Sequence, residues 1–208
     1  MTSPIPDLRG ALVALAVVGC ATAPAPVAAV TSPTPVRDVA SEERPTSAAA
    51  TGSARALARG DGSAVDVELA NGDLAAVRGA WSAARAAFER AERLAPNDPA
   101  AAVGVARATL AEAGVPEGVG EAPSHPTALA VAAKLRSVAA RHPEHAALAL
   151  ELGRVLLVLG ELREARAPLE VAARLAPDDP EALSSHGIVL LVGGDRDAAV
   201  KALARAAE

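Results

Sequence analysis

Between residues 146 and 179 the apolar positions fall three and four apart, in two runs. Leu148, Leu152, Leu156 and Leu159 make the first, and Leu162, Ala165, Leu169 and Ala172 the second. That spacing puts each run on one face of an α-helix and predicts two amphipathic helices broken at Gly160. The phrase Arg93-Leu94-Ala95-Pro96-Asn97-Asp98-Pro99 returns as Arg174-Leu175-Ala176-Pro177-Asp178-Asp179-Pro180, with a weaker copy at Arg141-His142-Pro143. Each is a helix stop followed by an acidic or amide N-cap and a proline that opens the next helix. Pro143 and Pro177 stand one 34-residue period apart. The fold class this predicts is all-α, an α-solenoid of about four helix-turn-helix hairpins.

At these residues the chain resembles the tetratricopeptide repeat (TPR). Residues 146–179 carry Ala149, Leu152-Gly153, Leu156, Gly160, Ala165, Leu169, Ala172 and Pro177 where that repeat wants its apolar, glycine, alanine and proline positions. Residues 180–208 supply Leu183, His186-Gly187, Leu190, Gly194, Ala199, Leu203 and Ala206; residues 65–98 supply Glu68, Asn71-Gly72, Ala75, Gly79, Ala84, Phe88, Ala91 and Pro96. Small residues at the helix crossings let the two helices approach closely. Leu and Ala stand where the family uses aromatics, so the core is expected to be small and tight. The second unit, 99–145, departs from the pattern: helix Pro99–Ala113 and helix Pro126–Arg141 are separated by the insertion Gly114–His125. That insertion reads either as a solvated spacer or as part of a functional face. Asn71-Gly72-Asp73 could alternatively be a turn between helices; the repeat register, with Gly79–Pro96 as the second half of a hairpin, is preferred.

The amino terminus reads differently. Met1 and Arg9 precede the uncharged run Ala11–Gly19, which ends Val17-Val18-Gly19-Cys20. Nine helical residues span about 14 Å, roughly half a bilayer's hydrocarbon, so the run is too short for an anchor. It resembles a bacterial lipobox, which implies an export signal over residues 1–19 and lipidation at Cys20, the only cysteine. Ala21 after the cysteine, by the same resemblance, implies the outer membrane of a Gram-negative cell, facing the periplasm. Acyl chains contribute about 0.8 kcal/mol per buried methylene, so two or more anchor stably. Residues 20–62, rich in Ala, Pro, Ser and Thr, read as a tether about 35–40 Å in mean extent, with one helical turn or two at Ala54–Ala58. The repeat domain is then 63–208.

Composition narrows the function. The chain is about a quarter alanine and only 1% aromatic, which disfavours sheet folds. It carries 20 basic and 25 acidic side chains, a net charge of −5, so nucleic acid is not an expected partner. The tether is neutral, which leaves the net charge on 63–208. A lone cysteine forms no internal disulfide. His142 and His145 stand three apart at a helix boundary without co-ligands, so they read as surface histidines and not a metal site. His186 falls on a core-facing position beside Ser184-Ser185, and adjacent helical residues point different ways. Paired acids such as Asp178-Asp179 suit helix N-termini. No catalytic, cofactor or metal constellation is expected.

The resemblance implies a concave groove formed by the first helix of each hairpin. Its expected lining is Arg107, Leu150, Arg154, Leu157, Ile188 and Leu191, with Leu69, Asp73, Val77, Val103, Leu110, Val158 and Val192: an apolar strip with two arginines and an acidic end. Leu69, Asp73 and Gly104 stand where related domains clamp a terminal carboxylate with Lys and Asn, so that clamp is not expected. The function this implies is an outer-membrane-tethered adaptor that binds envelope proteins or peptide segments. A pilotin-like chaperone for secretin or pilus assembly and a regulatory fragment of a larger protein remain open alternatives. The final helix, about Asp195–Ala207, is apolar around much of its surface, and Leu203 there is expected to mark an interface for self-association or for a partner.

Overall fold

In a computed structural model, residues 56–208 are described. Among them are eight helices: α1 (Ala64–Val77), α2 (Trp81–Leu94), α3 (Pro99–Glu112), α4 (Pro126–Ala139), α5 (Ala146–Val158), α6 (Leu162–Leu175), α7 (Pro180–Val192) and α8 (Arg196–Ala206). The spans read as export signal and tether, with Cys20, lie outside the described residues as far as residue 55. No helix of the described residues is long and apolar enough to cross a membrane.

The helix starts follow from side-chain chemistry. Asp98, Asp179 and Asp195 accept the backbone N–H of Ala101, Glu181 and Ala198, and Pro99 and Pro180 open their helices. The hairpins turn at Gly79, Gly114, Gly160 and Gly194, each with a positive φ that an L side chain adopts only with strain. Asn71, Gly72 and Asp73 lie inside α1, which settles the register of the first repeat. Helices pair as α1·α2, α5·α6 and α7·α8, and successive first helices touch, α1 with α3, α3 with α5 and α5 with α7. The pair α3·α4 is looser because the insertion spreads it, and α4 divides its packing between α3 and α5.

The core is small in its residues, as expected. Leu69, Leu135, Leu148, Leu156 and Leu169 are its largest fully buried side chains, with many alanines between them. At three hairpin crossings a glycine admits the partner helix. A Cβ on Gly153 would stand 2.4 Å from Leu169, one on Gly187 2.7 Å from Leu203, and one on Gly72 2.4 Å from Phe88. Leu203 is therefore half-buried against Gly187 in the last hairpin, while Val200 is the large apolar residue that α8 exposes. Replacing Leu203 with Glu would disrupt the hairpin itself, so it does not isolate self-association.

One cap escapes the usual residue set. His145 Nδ1 accepts the N–H of Leu148 at 3.1 Å and starts α5. Burial pushes its pKa below the ordinary 6.5, which favours the neutral ring that can accept. The folded pKa is depressed, so the cap's stabilisation is complete above about pH 6.5 and is lost as the pH falls towards the folded value. His186, also lowered by burial, acts in the same direction. Denaturant midpoints should therefore fall between pH 7.5 and 5. His145→Asn, which can still cap, should reduce that fall, a lost N-cap being worth about 1 kcal/mol. An equal fall in both proteins would exclude His145 as a source.

Candidate functional site

The first helices α1, α3, α5 and α7, with the insertion, enclose a groove of about 950 Å³. The first helices are apolar around much of their circumference, so each can meet its hairpin partner with one face and this space with another. Val77, Leu110, Leu157, Val158 and Ile188 supply apolar wall, with Trp81 and Phe88 of α2 at one end. Of the expected lining, Asp73, Val77, Arg107, Leu110, Arg154, Leu157, Val158 and Ile188 are brought together here. Leu150 is 3% exposed and belongs to the core, as do Leu69 and Val103. Leu191 and Val192 are exposed but do not line the groove.

Carboxylates hold the two groove arginines. Arg107 Nε donates to Glu151 Oε2 at 2.8 Å, and Glu151 is 3% exposed. Arg154 lies 2.6 Å from Glu181, 3.7 Å from Glu117 and 3.9 Å from Glu151. This chain of charges crosses from α3 through α5 to α7 and reaches the insertion. Buried ions need such partners, because burying either sign alone is costly. With Asp73 and Asp179, the lining holds five carboxylates against two guanidiniums, so the groove favours a cationic occupant.

The insertion forms a wall of this groove. Val115, Pro116, Glu117 and Val119 line it. Gly120 N donates to Leu157 O at 2.8 Å and Ala122 N to Val158 O at 3.1 Å. The second bond engages the Val158 carbonyl at the end of α5, while Leu157 O accepts the N–H of Gly160, at 2.9 Å, as well as that of Gly120.

The acidic end is already occupied by the chain itself. Asp73 Oδ2 accepts the N–H of Leu57 at 2.7 Å and of Ala58 at 2.9 Å. Burial pushes the Asp73 carboxyl up, against the downward pull of those two N–H groups. Arg59 N donates to Asp66, whose second oxygen accepts from Gly62 N at 3.3 Å. The Arg59 guanidinium bonds Asp98. Burial opposes ionisation of Asp98, but Arg59 and the N–H of Ala101 outweigh it and hold that carboxyl below its usual range. Leu57 is buried and lines the groove with Asp73 and Val77. Leu57 and Ala58, within the span read as tether, are thus packed on the first repeat, Arg59 and Gly62 are tied to it by hydrogen bonds, and residues 56–59 are not helical.

Among the described residues no group of three metal-ligating side chains stands together. The family model for the tetratricopeptide repeat matches residues 127–187. The structure is similar to TTC0263, a thermophilic TPR protein of Thermus thermophilus, with 25% identity over 69% of this chain and 73% of that one, at a TM-score of 0.55. It is also similar to MamA of Desulfovibrio magneticus, with 20% identity over 68% of this chain and 73% of that one, at a TM-score of 0.50. No curated protein sequence matches it. The helical part of the chain is an array of tetratricopeptide repeats, a fold that serves protein–protein interaction.

Proposed function

We propose that this chain is an adaptor, anchored by lipid at Cys20 to the periplasmic face of the bacterial outer membrane, which binds segments of other envelope proteins. The observation that carries the binding role is the groove: about 950 Å³ bounded by an apolar wall and crossed by a fixed line of charges. An apolar concavity with a few oriented charges suits a segment that brings side chains to the wall and basic groups to the carboxylates. The anchor rests on the lipobox resemblance around Cys20, and the tether would set the domain's reach from the membrane.

Two measurements test the reading. Cys20→Ser should abolish incorporation of labelled palmitate and release the chain from membrane fractions; a variant still fractionating with the outer membrane would end the anchor reading. Ile188→Glu should remove the envelope proteins that crosslink to the wild-type domain while leaving helical circular dichroism unchanged. Ile188 is the cleaner probe than Arg107 or Arg154, whose replacement also breaks ion pairs. Undiminished crosslinking would place binding outside the groove.

A further inference from the structure

We propose that Leu57–Arg59 is a ligand of the groove supplied in cis, a strap that fills its first-repeat end and competes with any basic, apolar peptide bound there. This deepens the adaptor reading and rests on it, since it names the chemistry of the segment that the groove takes.

Three observations converge on the strap. Its backbone is held as an extended peptide would be, by two consecutive N–H groups on a single carboxylate, Leu57 and Ala58 on Asp73. Its side chains fix it at two places: Leu57 is buried in the groove lining, and Arg59 pairs outside that lining with Asp98, the N-cap of α3. Its charge is complementary, because the sequence Ala54-Arg55-Ala56-Leu57-Ala58-Arg59 is basic and apolar while the groove lining carries an excess of carboxylates. None of these contacts is needed to form a helix, since Ser63 caps α1 without them. A segment covalently joined to its site is present at high effective concentration, so a short and individually weak strap still occupies the site until a stronger ligand arrives.

The probe is a labelled synthetic peptide with the sequence of residues 54–60, added to the full chain and followed by fluorescence anisotropy. Leu57→Asp sets a new carboxylate near Asp73 and Asp66 and should release the strap. Ala58→Pro, which removes one of the two N–H donors, is a second release variant outside any helix. Both should keep wild-type helical circular dichroism. The peptide should bind the released chains at least tenfold more tightly than the wild type, and adding Asp73→Ala should abolish that binding. Emission of Trp81, the only tryptophan and part of the same lining, should shift on release and shift back on peptide addition. Equal binding to wild-type and released chains, or none to either released chain, would overturn the strap as a groove ligand. The crosslinking of Ile188→Glu reads the groove independently, so failure of the strap and failure of the adaptor reading are distinguishable.

Discussion

Glu151→Ala is expected to lower the stability of the helical domain by about 3–5 kcal/mol, the range for removing one member of a buried ion pair. Glu151 is 3% exposed and receives Arg107 at 2.8 Å. The substitution removes the most buried carboxylate from beside Arg107, although Asp73 still acts on that guanidinium. It also takes one of the three carboxylates from around Arg154. The Arg107 side chain is 16% exposed, so water can reach it in part and the loss should fall near the lower end of the range. Arg107→Met combined with Glu151→Leu should behave differently. Replacing both ions by apolar groups removes both desolvation costs, so the double variant should lie close to wild type. Urea denaturation with an unchanged slope measures all of these, and a double-mutant cycle isolates the pair. If Glu151→Ala costs less than about 1 kcal/mol, the pair behaves like an exposed salt bridge and is not a structural element of the groove.

The helices were legible because their information is local. Apolar spacing fixed their faces, and Asp98-Pro99 and Asp179-Pro180 fixed two of their starts within the span of one turn. The expected helices Pro99–Ala113, Pro126–Arg141 and Asp195–Ala207 differ from α3, α4 and α8 only at their caps. His145 escaped as a cap because histidine lies outside the usual capping set; its acceptor role depends on burial keeping the ring neutral.

The site was legible only in outline. Arg107, Arg154, Leu157 and Ile188 follow from the repeat geometry, but Glu151 sits between two leucines on α5 and gave no sign of burial. Its partner is 44 residues away in sequence, and only packing of α3 on α5 brings them together. Leu150 failed for the converse reason: its repeat position was expected on the groove, but its side chain is buried in the core. The insertion lacks helical periodicity, and its role as a wall depends on two N–H groups finding the carbonyl end of α5. The strap was hidden by composition. Leu57–Arg59 follow an Ala-, Ser- and Thr-rich stretch without helical periodicity, and their partners Asp66, Asp73 and Asp98 are spread over α1 and the cap of α3.

Phe88→Ala is expected to cost a further large share of stability, about 3–5 kcal/mol, as for other buried phenylalanines. Phe88 is the only phenylalanine and is 2% exposed. Its ring lies between two glycines on different helices: a Cβ on Gly72 of α1 or on Gly104 of α3 would stand 2.4 Å from it. Neither neighbour has a side chain to fill the space, so the cavity left by truncation would persist, and the cost rises with residual cavity volume. The later hairpins place leucine at the matching position, Leu169 against Gly153 and Leu203 against Gly187. Phe88→Leu should accordingly be much milder, near the ~1.5 kcal/mol ceiling for hydrophobic swaps of similar volume. A second comparison sharpens the test. Gly104→Ala in the wild type drives a methyl into the ring and should cost about 1–3 kcal/mol through overpacking, more than the gain of roughly 1 kcal/mol in helix propensity. In the Phe88→Leu background part of that clash disappears, so the two substitutions together should cost less than their sum. Thermal or urea unfolding of the four proteins reads the coupling. Strict additivity would mean that Phe88 and Gly104 do not share the contact, and that the first and second repeats are joined by something other than this ring.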